Sequence, residues 1–203
     1  MLKRVFDILV SLCGLCCLSP FLLLIGLLVG IRDGCPIFFK QKRIGRYGST
    51  FFLWKFRTMV DSKIQDTQLA TTNDERITLT GRILRKYKID EFPQLWNVLK
   101  GDMSLVGYRP EIPYYVAKYT PEQKKLLQYK PGIVDPATLY FKDENNLLNT
   151  SQNVEHDYIH KILPIKLKLS LDYAQRATFR SDLKCILETI FKLLLSTLNK
   201  CLP

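Results

Sequence analysis

The chain has 203 residues, a length typical of one domain or at most two, and a formal net charge of +11. The excess of positive charge lies in residues 1–60, which carry nine Lys and Arg against two acids, whereas residues 131–203 carry nine against eight. This distribution favours anionic lipid headgroups or phosphate-bearing substrates. Nucleic acid is not an expected partner, because no helix-turn-helix, zinc-finger or aromatic stacking pattern is evident.

An uncharged segment extends from Ile8 to Ile31, over 24 residues. As one helix it would be about 36 Å long, enough to cross the core of a bilayer. A signal peptide is disfavoured, because its apolar run would be shorter and a cleavage site would follow it. Ser19 and Pro20 stand at the midpoint, where proline frees a backbone carbonyl and kinks a helix. The Ser19 hydroxyl could help to satisfy the groups that such a break releases.

Cations flank this apolar segment on both sides: Lys3, Arg4, Arg32, Lys40, Lys42 and Arg43. Because Lys and Arg prefer the cytoplasmic side of a membrane, both ends of the segment favour the same side. The residues themselves leave two interpretations equally open. One is a helix that spans the bilayer, and the other is a re-entrant helix that breaks at Ser19 and Pro20.

Two stretches rich in Ile, Phe and Trp follow, at residues 36–44 and 50–59, with glycines at both ends of the four residues 45–48 between them. This pattern predicts two strands joined by a turn, a small β-hairpin. Residues 82–99 show a helical spacing of apolar side chains, but Pro93 interrupts it. We therefore expect one helix that ends near Lys88 and another that begins around Asp90.

Asp90 and Glu91 would then lie at the N-terminus of a helix, where acidic residues are common because the helix dipole favours negative charge. A plain helix start is therefore one interpretation of the pair. The other is functional: two neighbouring carboxylates among cations suit chemistry on an anionic substrate with a divalent metal. Such a helix terminus would also attract a phosphate group.

The C-terminal half carries fewer signals. Residues 121–129 predict a short helix, and Pro131-Gly132 predicts a turn. Residues 182–202 predict an amphipathic helix, with apolar side chains on one face and lysines on the other. Such a helix could pack on a core or lie in a membrane interface.

Ordered motifs extend over nearly the whole chain: Lys3-Arg-Val-Phe-Asp7, Ser19-Pro20, Pro36-Ile-Phe-Phe-Lys-Gln41, Arg43-Ile-Gly45, Lys55-Phe-Arg-Thr-Met59, Arg85, Asp90-Glu91, Pro93-Gln-Leu-Trp-Asn-Val-Leu-Lys-Gly-Asp-Met-Ser104, Val106-Gly107, Arg109-Pro110 and Lys130-Pro-Gly-Ile133. With these motifs the chain resembles the bacterial sugar transferases, the small monotopic polyprenyl-phosphate phosphoglycosyl transferases. So many matches in the same order make a chance resemblance very improbable.

The resemblance implies an α+β, mostly helical fold. Residues 1–34 would form a re-entrant membrane helix-hairpin with a break at Ser19 and Pro20. Residues 35–203 would form a cytoplasmic catalytic domain with a small β-hairpin and a C-terminal amphipathic helix. The protein would then lie on the cytoplasmic face of the bacterial inner membrane.

The resemblance also implies a reaction, in which a sugar-1-phosphate passes from a UDP-sugar to a polyprenyl phosphate, usually undecaprenyl phosphate, with release of UMP. This step would start a lipid-linked surface glycan. Asp90 matches the family's nucleophile, which would form a covalent phosphosugar intermediate. Glu91 matches the second residue of the dyad, with a metal or acid–base role. Mg²⁺ at Asp90, with Lys55, Arg85 and Arg109, would neutralise the phosphate charge.

Two alternatives to this function exist. A non-catalytic membrane-bound scaffold or lipid-binding module of the same fold would have no need for the acidic dyad and all three cations together. An ordinary glycosyltransferase that releases UDP would need an Asp-x-Asp metal motif in a nucleotide-binding α/β pattern, and none is visible. A homodimer is one assembly that such a chain could form.

The chain departs from the family pattern in two places. Tyr108 stands where many members have proline between glycine and arginine. Residues 133–138 read Ile-Val-Asp-Pro-Ala-Thr, where many relatives continue with a Thr-Gly-Trp-Ala type of sequence. Because the resemblance is lost in this region, it does not predict which sugar is transferred.

Overall fold

The computed structural model describes residues 2–60, 74–140 and 153–198. It begins with helix α1, Leu2–Asp33, whose 32 residues are long and apolar enough to cross a membrane by length and composition. Most of the side chains of α1 are exposed, and among these are large apolar residues such as Leu9, Leu23 and Leu27. An exposed surface of this composition needs an apolar environment to cover it.

Helix α1 continues without interruption through Ser19 and Pro20. Pro20 has no N–H with which to bond the carbonyl of Cys16, four residues earlier. The Ser19 hydroxyl donates to that same Cys16 carbonyl, over 2.8 Å. The predicted compensation by Ser19 is therefore present. The predicted break is not seen as an end to the helix, because the carbonyl freed by proline has found another donor.

The predicted hairpin is confirmed. Strands β1, Phe38–Ile44, and β2, Thr50–Phe56, pair in antiparallel fashion, and a short 3₁₀ turn at Arg46–Gly48 joins them. Lys55 lies near the end of β2, opposite Phe39. The pairing of the two strands therefore fixes the position of Lys55 near one end of the hairpin.

The helical region around Pro93 differs from the prediction in its boundaries. Helix α2, Leu79–Lys86, ends close to where it was expected, but α3 begins only at Gln94 and extends to Lys100. Between them lies a 3₁₀ turn, Ile89–Glu91, which is preceded by Lys88 in the left-handed region at φ 59°. Asp90 and Glu91 thus occupy this turn and not the first turn of an α-helix.

A second, parallel sheet has two strands of three residues, β3, Ser104–Val106, and β4, Gly132–Val134. The turn predicted at Pro131-Gly132 is wrong, because Gly132 opens β4. A Cβ atom on Gly132 would lie 2.1 Å from the backbone nitrogen of Gly107. Glycine is therefore required here by the close approach of two backbones.

The remaining elements are helical: α4, Pro113–Val116; α5, Pro121–Lys124, followed by a 3₁₀ turn, Lys125–Gln128; α6, Pro136–Tyr140; α7, Val154–Asp157, followed by a π-turn, Tyr158–Ile162; α8, Leu163–Arg176; and α9, Phe179–Leu198. The short helix predicted at residues 121–129 is thus present as α5 and its 3₁₀ extension. The fold is mostly helical with small sheets, as expected.

Helix α9 packs on the core at one end, which is one of the two roles that the sequence left open. Its Asp182 and Cys185 are buried, so this end of the helix packs on the core. Leu187, Ile190 and Phe191, further along, remain exposed. The amphipathic pattern therefore serves burial on one face and leaves an apolar face uncovered.

Both ends of α1 are attached to the rest of the protein by polar contacts. Near its start, the buried Asp7 accepts hydrogen bonds from the Ser104 hydroxyl at 2.8 Å and from the Leu105 N–H at 3.2 Å. At its end, Asp33 accepts a bond from the Thr78 hydroxyl at 2.9 Å. The same helix is therefore tied to β3 at one end and to the first turn of α2 at the other.

The close contact between β3 and β4 generates a stability prediction. We expect Gly132→Ala to lower the free energy of unfolding by about 3 kcal/mol or more, because the new methyl group meets backbone atoms that cannot move aside. Thermal unfolding in detergent micelles measures the effect. Gly30→Ala is the control, because its Cβ would meet only Ile37 at 3.6 Å, and we expect a change within about 1 kcal/mol. Equal midpoints for the two variants would contradict the prediction.

Candidate active site

The structure brings four of the sequence-predicted site residues into one cluster. Lys55 comes from β2, Asp90 and Glu91 from the 3₁₀ turn, and Arg109 from the segment after β3. Arg85, at the end of α2, lies close enough to Asp90 for their charges to interact. Ser19 and Pro20 lie on α1 and have no part in this cluster.

Glu91 is the centre of a partly buried ion cluster. Its Oε1 accepts from Lys55 Nζ at 2.9 Å and from Arg109 Nη2 at 2.6 Å, and its Oε2 lies 3.4 Å from Arg109 Nη1. Although burial acts to raise it, the pKa of Glu91 is held well below its ordinary value, chiefly by the charges of Arg109 and Lys55. The carboxylate is therefore ionised at neutral pH.

The two cations respond to the same environment in opposite ways. Burial lowers the pKa of Lys55, although the charge of Glu91 opposes this effect. The pKa of Arg109 is raised, mainly by the charge of Glu91. Removal of Glu91 would therefore leave two partly buried cations with no carboxylate between them, which would lower the free energy of unfolding.

Asp90 has a different environment from its neighbour. It is 5 % exposed, and its pKa is raised, mainly by burial, while Lys55 acts in the opposite direction. Its Oδ1 is buried and has no hydrogen-bond partner among the described residues. A buried carboxylate oxygen without a partner is costly unless a ligand, an ion or a reaction uses it. Of the two acidic side chains, Asp90 is therefore the one with an oxygen available for chemistry.

Three residues that the sequence did not single out hold the site in place. Thr58 accepts a bond from Arg85 Nε at 2.9 Å. The charge of Lys88 acts to lower the pKa of both acids, although burial keeps that of Asp90 raised. Asn97, fully buried, bonds both the Trp54 N–H and the Phe52 carbonyl. These contacts fix α2 and α3 against the strand that carries Lys55.

Thr58 and Asn97 both lie inside motifs that carried the family resemblance, so their positions were visible in the sequence. Their roles were not, because neither residue type is charged and both act on backbone or side-chain atoms 27 or more residues away. Lys88 could have been suspected from its place beside the dyad, but its left-handed conformation carries no signal in a lysine.

A second buried ion pair lies behind Arg109. Arg43 Nη1 is 3.4 Å from Glu111 Oε2, and the Tyr158 hydroxyl donates to the other oxygen of Glu111. The charge of Glu111 also contributes to the raised pKa of Arg109. These residues connect the ion cluster of Glu91 to the cluster of buried tyrosines and leucines around α8.

The residues present are compatible with Mg²⁺, the expected cofactor. No group of three or more His, Cys, Asp and Glu side chains that could hold a metal occurs among residues 2–60, 74–140 and 153–198. Mg²⁺, however, commonly binds through one or two carboxylates together with water and substrate phosphates. The partnerless Oδ1 of Asp90 could supply one such carboxylate oxygen, whereas both oxygens of Glu91 already face cations.

The structure thus combines a helix that is long and apolar enough to cross a membrane with an acidic dyad among cations. Comparison with known proteins identifies the family. The model of the family described as bacterial sugar transferase matches residues 1–196. The chain belongs to this family, which confirms the resemblance seen in its motifs and the expectation of a sugar-transferase enzyme.

Individual relatives cover the chain to different extents. The uncharacterized sugar transferase EpsL of Bacillus subtilis is 38% identical over 96% of this chain and 88% of its own length. The UDP-glucose:undecaprenyl-phosphate glucose-1-phosphate transferase of Caulobacter vibrioides is 36% identical over 95% of this chain and 69% of its own length. The undecaprenyl-phosphate galactose phosphotransferase of Salmonella typhimurium is 38% identical over 65% of this chain but only 31% of its own length.

The ion cluster generates a prediction for Glu91. We expect Glu91→Gln to lower the free energy of unfolding by about 3 kcal/mol, the low end for a buried pair, because Lys55 and Arg109 lose their shared carboxylate while they stay partly buried. Thermal unfolding in detergent measures the loss. The control is Glu122→Gln, which breaks an exposed pair with Lys125 and should cost less than about 1 kcal/mol.

The same comparison has a defined pH dependence. Because the pKa of folded Glu91 lies below its unfolded value of about 4.3, its stabilisation is complete above that value and is lost as the pH falls towards the lowered pKa. The difference between wild type and Glu91→Gln should therefore be constant from neutral pH to about 5 and shrink in more acidic buffer. A difference that grew on acidification would contradict the assignment.

Proposed function

We propose that the protein transfers a sugar-1-phosphate from a UDP-sugar to a polyprenyl phosphate, releases UMP, and so starts a lipid-linked surface glycan. Family membership supports the general reaction, because relatives are named as undecaprenyl-phosphate sugar phosphotransferases. The observation that carries the proposal is the buried Asp90 carboxylate, whose Oδ1 has no partner although cations surround it.

In the first step, an Asp90 oxygen attacks the β-phosphorus of the UDP-sugar. A bond forms between this oxygen and the phosphorus, the bond from the phosphorus to the bridging oxygen breaks, and UMP leaves with that oxygen. In the second step, an oxygen of the polyprenyl phosphate attacks the same phosphorus. The bond to Asp90 breaks, the carboxylate is restored, and a lipid-linked diphosphate sugar is formed.

A carboxylate can approach a phosphate only where the negative charges are compensated. Lys55, Arg85 and Arg109 would supply this compensation, as all three act on the acidic dyad. Arg109 is suited to phosphate, because its guanidinium presents several donors in a plane. Mg²⁺, when it is bound at Asp90, would add further positive charge at the transferring phosphoryl group.

Glu91 is proposed to hold the cations in position. Its lowered pKa and its contacts with Lys55 and Arg109 favour this role over proton transfer, since a group that stays ionised near neutral pH is a poor acid. The division of labour is thus between one carboxylate that reacts and one that fixes the electrostatics.

We further propose that α1 enters and leaves the membrane on the same side, the cytoplasmic face of the bacterial inner membrane. Asp7 and Asp33 bind the same folded domain through Ser104 and Thr78. A straight span would have to place these two attachments on opposite sides of about 30 Å of hydrocarbon. The exposed apolar side chains between them would instead be buried on one side of the bilayer.

The alternative of a non-catalytic scaffold explains these observations less well. A lipid-binding module could use the apolar surface of α1, but it would gain nothing from a buried carboxylate with a partnerless oxygen. The donor sugar stays unassigned, because Tyr108 and residues 133–138 depart from the usual family pattern. A homodimer stays a prediction.

The mechanism predicts that Asp90→Asn lowers the rate of UMP release from UDP-sugars by about a thousandfold or more. The rate is measured in the presence of undecaprenyl phosphate and Mg²⁺. The amide cannot form the covalent bond, whereas the fold should tolerate it, since the buried carboxylate is costly. The matched control is Asp172→Asn, an exposed position, which should keep wild-type activity. Release of UDP, or turnover by Asp90→Asn, would overturn the mechanism.

Re-entry predicts the accessibility of the two ends of α1. In a cysteine-free variant, a cysteine at Leu2 or at Ile31, both exposed, should react with a membrane-impermeant maleimide in inverted membrane vesicles but not in intact spheroplasts. A cysteine at Lys124, in the folded domain, provides the cytoplasmic reference. Reaction of one end of α1 from outside the cell would demonstrate a span and refute re-entry.

A further inference from the structure

A cavity of about 400 Å³ lies beside the N-terminal end of α1. Four cations line it, Lys3, Arg4, Arg46 and Lys130, together with tyrosines that include Tyr108. None of the five residues of the proposed catalytic cluster lines it. The cavity is therefore a separate concave site with its own charges.

The carboxylates at this cavity already have partners. Asp182 binds Lys3 and the Tyr173 hydroxyl, and Asp7 accepts from Ser104 and Leu105. Both are thus taken up by contacts that hold α1 and α9 in place.

The other three cations have no carboxylate partner among the described residues. Arg4 donates to the carbonyls of Val98 and Leu99, and Arg46 donates to the carbonyl of Gln128. Lys130 forms no ion pair there. An excess of positive charge therefore remains uncompensated at this site.

These cations also converge in space. The Arg4 Nη2 and Lys130 Nζ atoms lie 3.3 and 3.8 Å from the position that a Cβ atom on Gly101 would take. Burial lowers the pKa of Lys130, the charges of Arg4 and Arg46 lower it further, and the charges of Asp7 and Asp102 act in the opposite direction. Like charges held this close repel one another, so an anion between them would relieve the repulsion.

Tyr108 is a buried residue of the cavity wall. It is 3 % exposed and packs in the same apolar cluster as Tyr115 and Tyr119. The hydroxyls of all three tyrosines have no hydrogen-bond partner among the described residues. Tyr108 is also the residue at which this chain departs from the proline of many family members.

We propose that this cavity binds a phosphate group, held by Arg4, Arg46 and Lys130, at a site distinct from the catalytic cluster. The phosphate could belong to an anionic lipid headgroup or to a soluble phosphate compound, since the recognising chemistry is the same. The neighbouring side chains of α1 suit the lipid, because Leu2 and Val5 are exposed beside the cations. Basic pockets next to membrane helices are a common place for such headgroups.

The test uses the full chain purified in detergent, with a double variant, Arg46→Ala with Lys130→Ala. A matched control, Lys124→Ala with Lys168→Ala, removes the same charge from exposed positions outside the cavity. Native mass spectrometry counts retained phosphatidylglycerol, and thermal stabilisation is measured with inorganic phosphate and with UMP. Asp90→Asn is included in both assays to separate this site from the catalytic one.

We expect the cavity variant to lose retained phosphatidylglycerol at least tenfold, whereas the control pair and Asp90→Asn keep it. Loss of phosphatidylglycerol alone would identify a lipid headgroup as the ligand. Loss of stabilisation by inorganic phosphate or UMP in the cavity variant alone would identify a soluble phosphate. Equal binding of every probe by the cavity variant and the control pair would overturn the proposal, provided that both give the wild-type circular dichroism spectrum.

Discussion

The arrangement of the site depends on the ion pairs that the Glu91 carboxylate forms with Lys55 and Arg109, two partly buried cations. Lys55 and Arg109 reach the protein interior from different elements, and without an anion between them their repulsion and desolvation would drive them apart. Glu91 therefore stabilises the meeting of the hairpin, the 3₁₀ turn and the segment after β3. Asp90, the residue before Glu91, lies in the same turn, but its Oδ1 has no hydrogen-bond partner among the described residues.

The second constraint is the double attachment of α1. An apolar helix of 32 residues with few buried side chains would be free to leave the domain if only van der Waals contacts held it. Asp7 and Asp33 help to hold it, because each is a carboxylate bonded to groups of the folded domain, and Lys3 and Arg4 add further bonds at its start. The domain and its apolar helix thus act as one unit, which suits a reaction between a soluble nucleotide sugar and a lipid phosphate.

Local patterns predicted the elements that local interactions stabilise. The hairpin consists of two stretches rich in Ile, Phe and Trp around a glycine turn, and α1 is continuous in its hydrophobicity, so both could be read from the residues. The strands β3 and β4 could not, because three residues carry no period and their pairing joins Ser104 to Gly132, far away in the chain. For the same reason Pro131-Gly132 resembled a turn. The 3₁₀ turn was also missed, since it depends on a left-handed Lys88.

The sequence by itself determined the family, the apolar segment, the acidic dyad and the set of cations that accompany it, because these are properties of residue identity and order. Only the tertiary structure decided which acid has a free oxygen and which one holds the cations, since Asp90 and Glu91 are chemically alike and adjacent. It also decided that Arg4, Arg46 and Lys130 share a cavity. The physical reason is that burial and charge–charge energies depend on distances in space, which residue order does not contain.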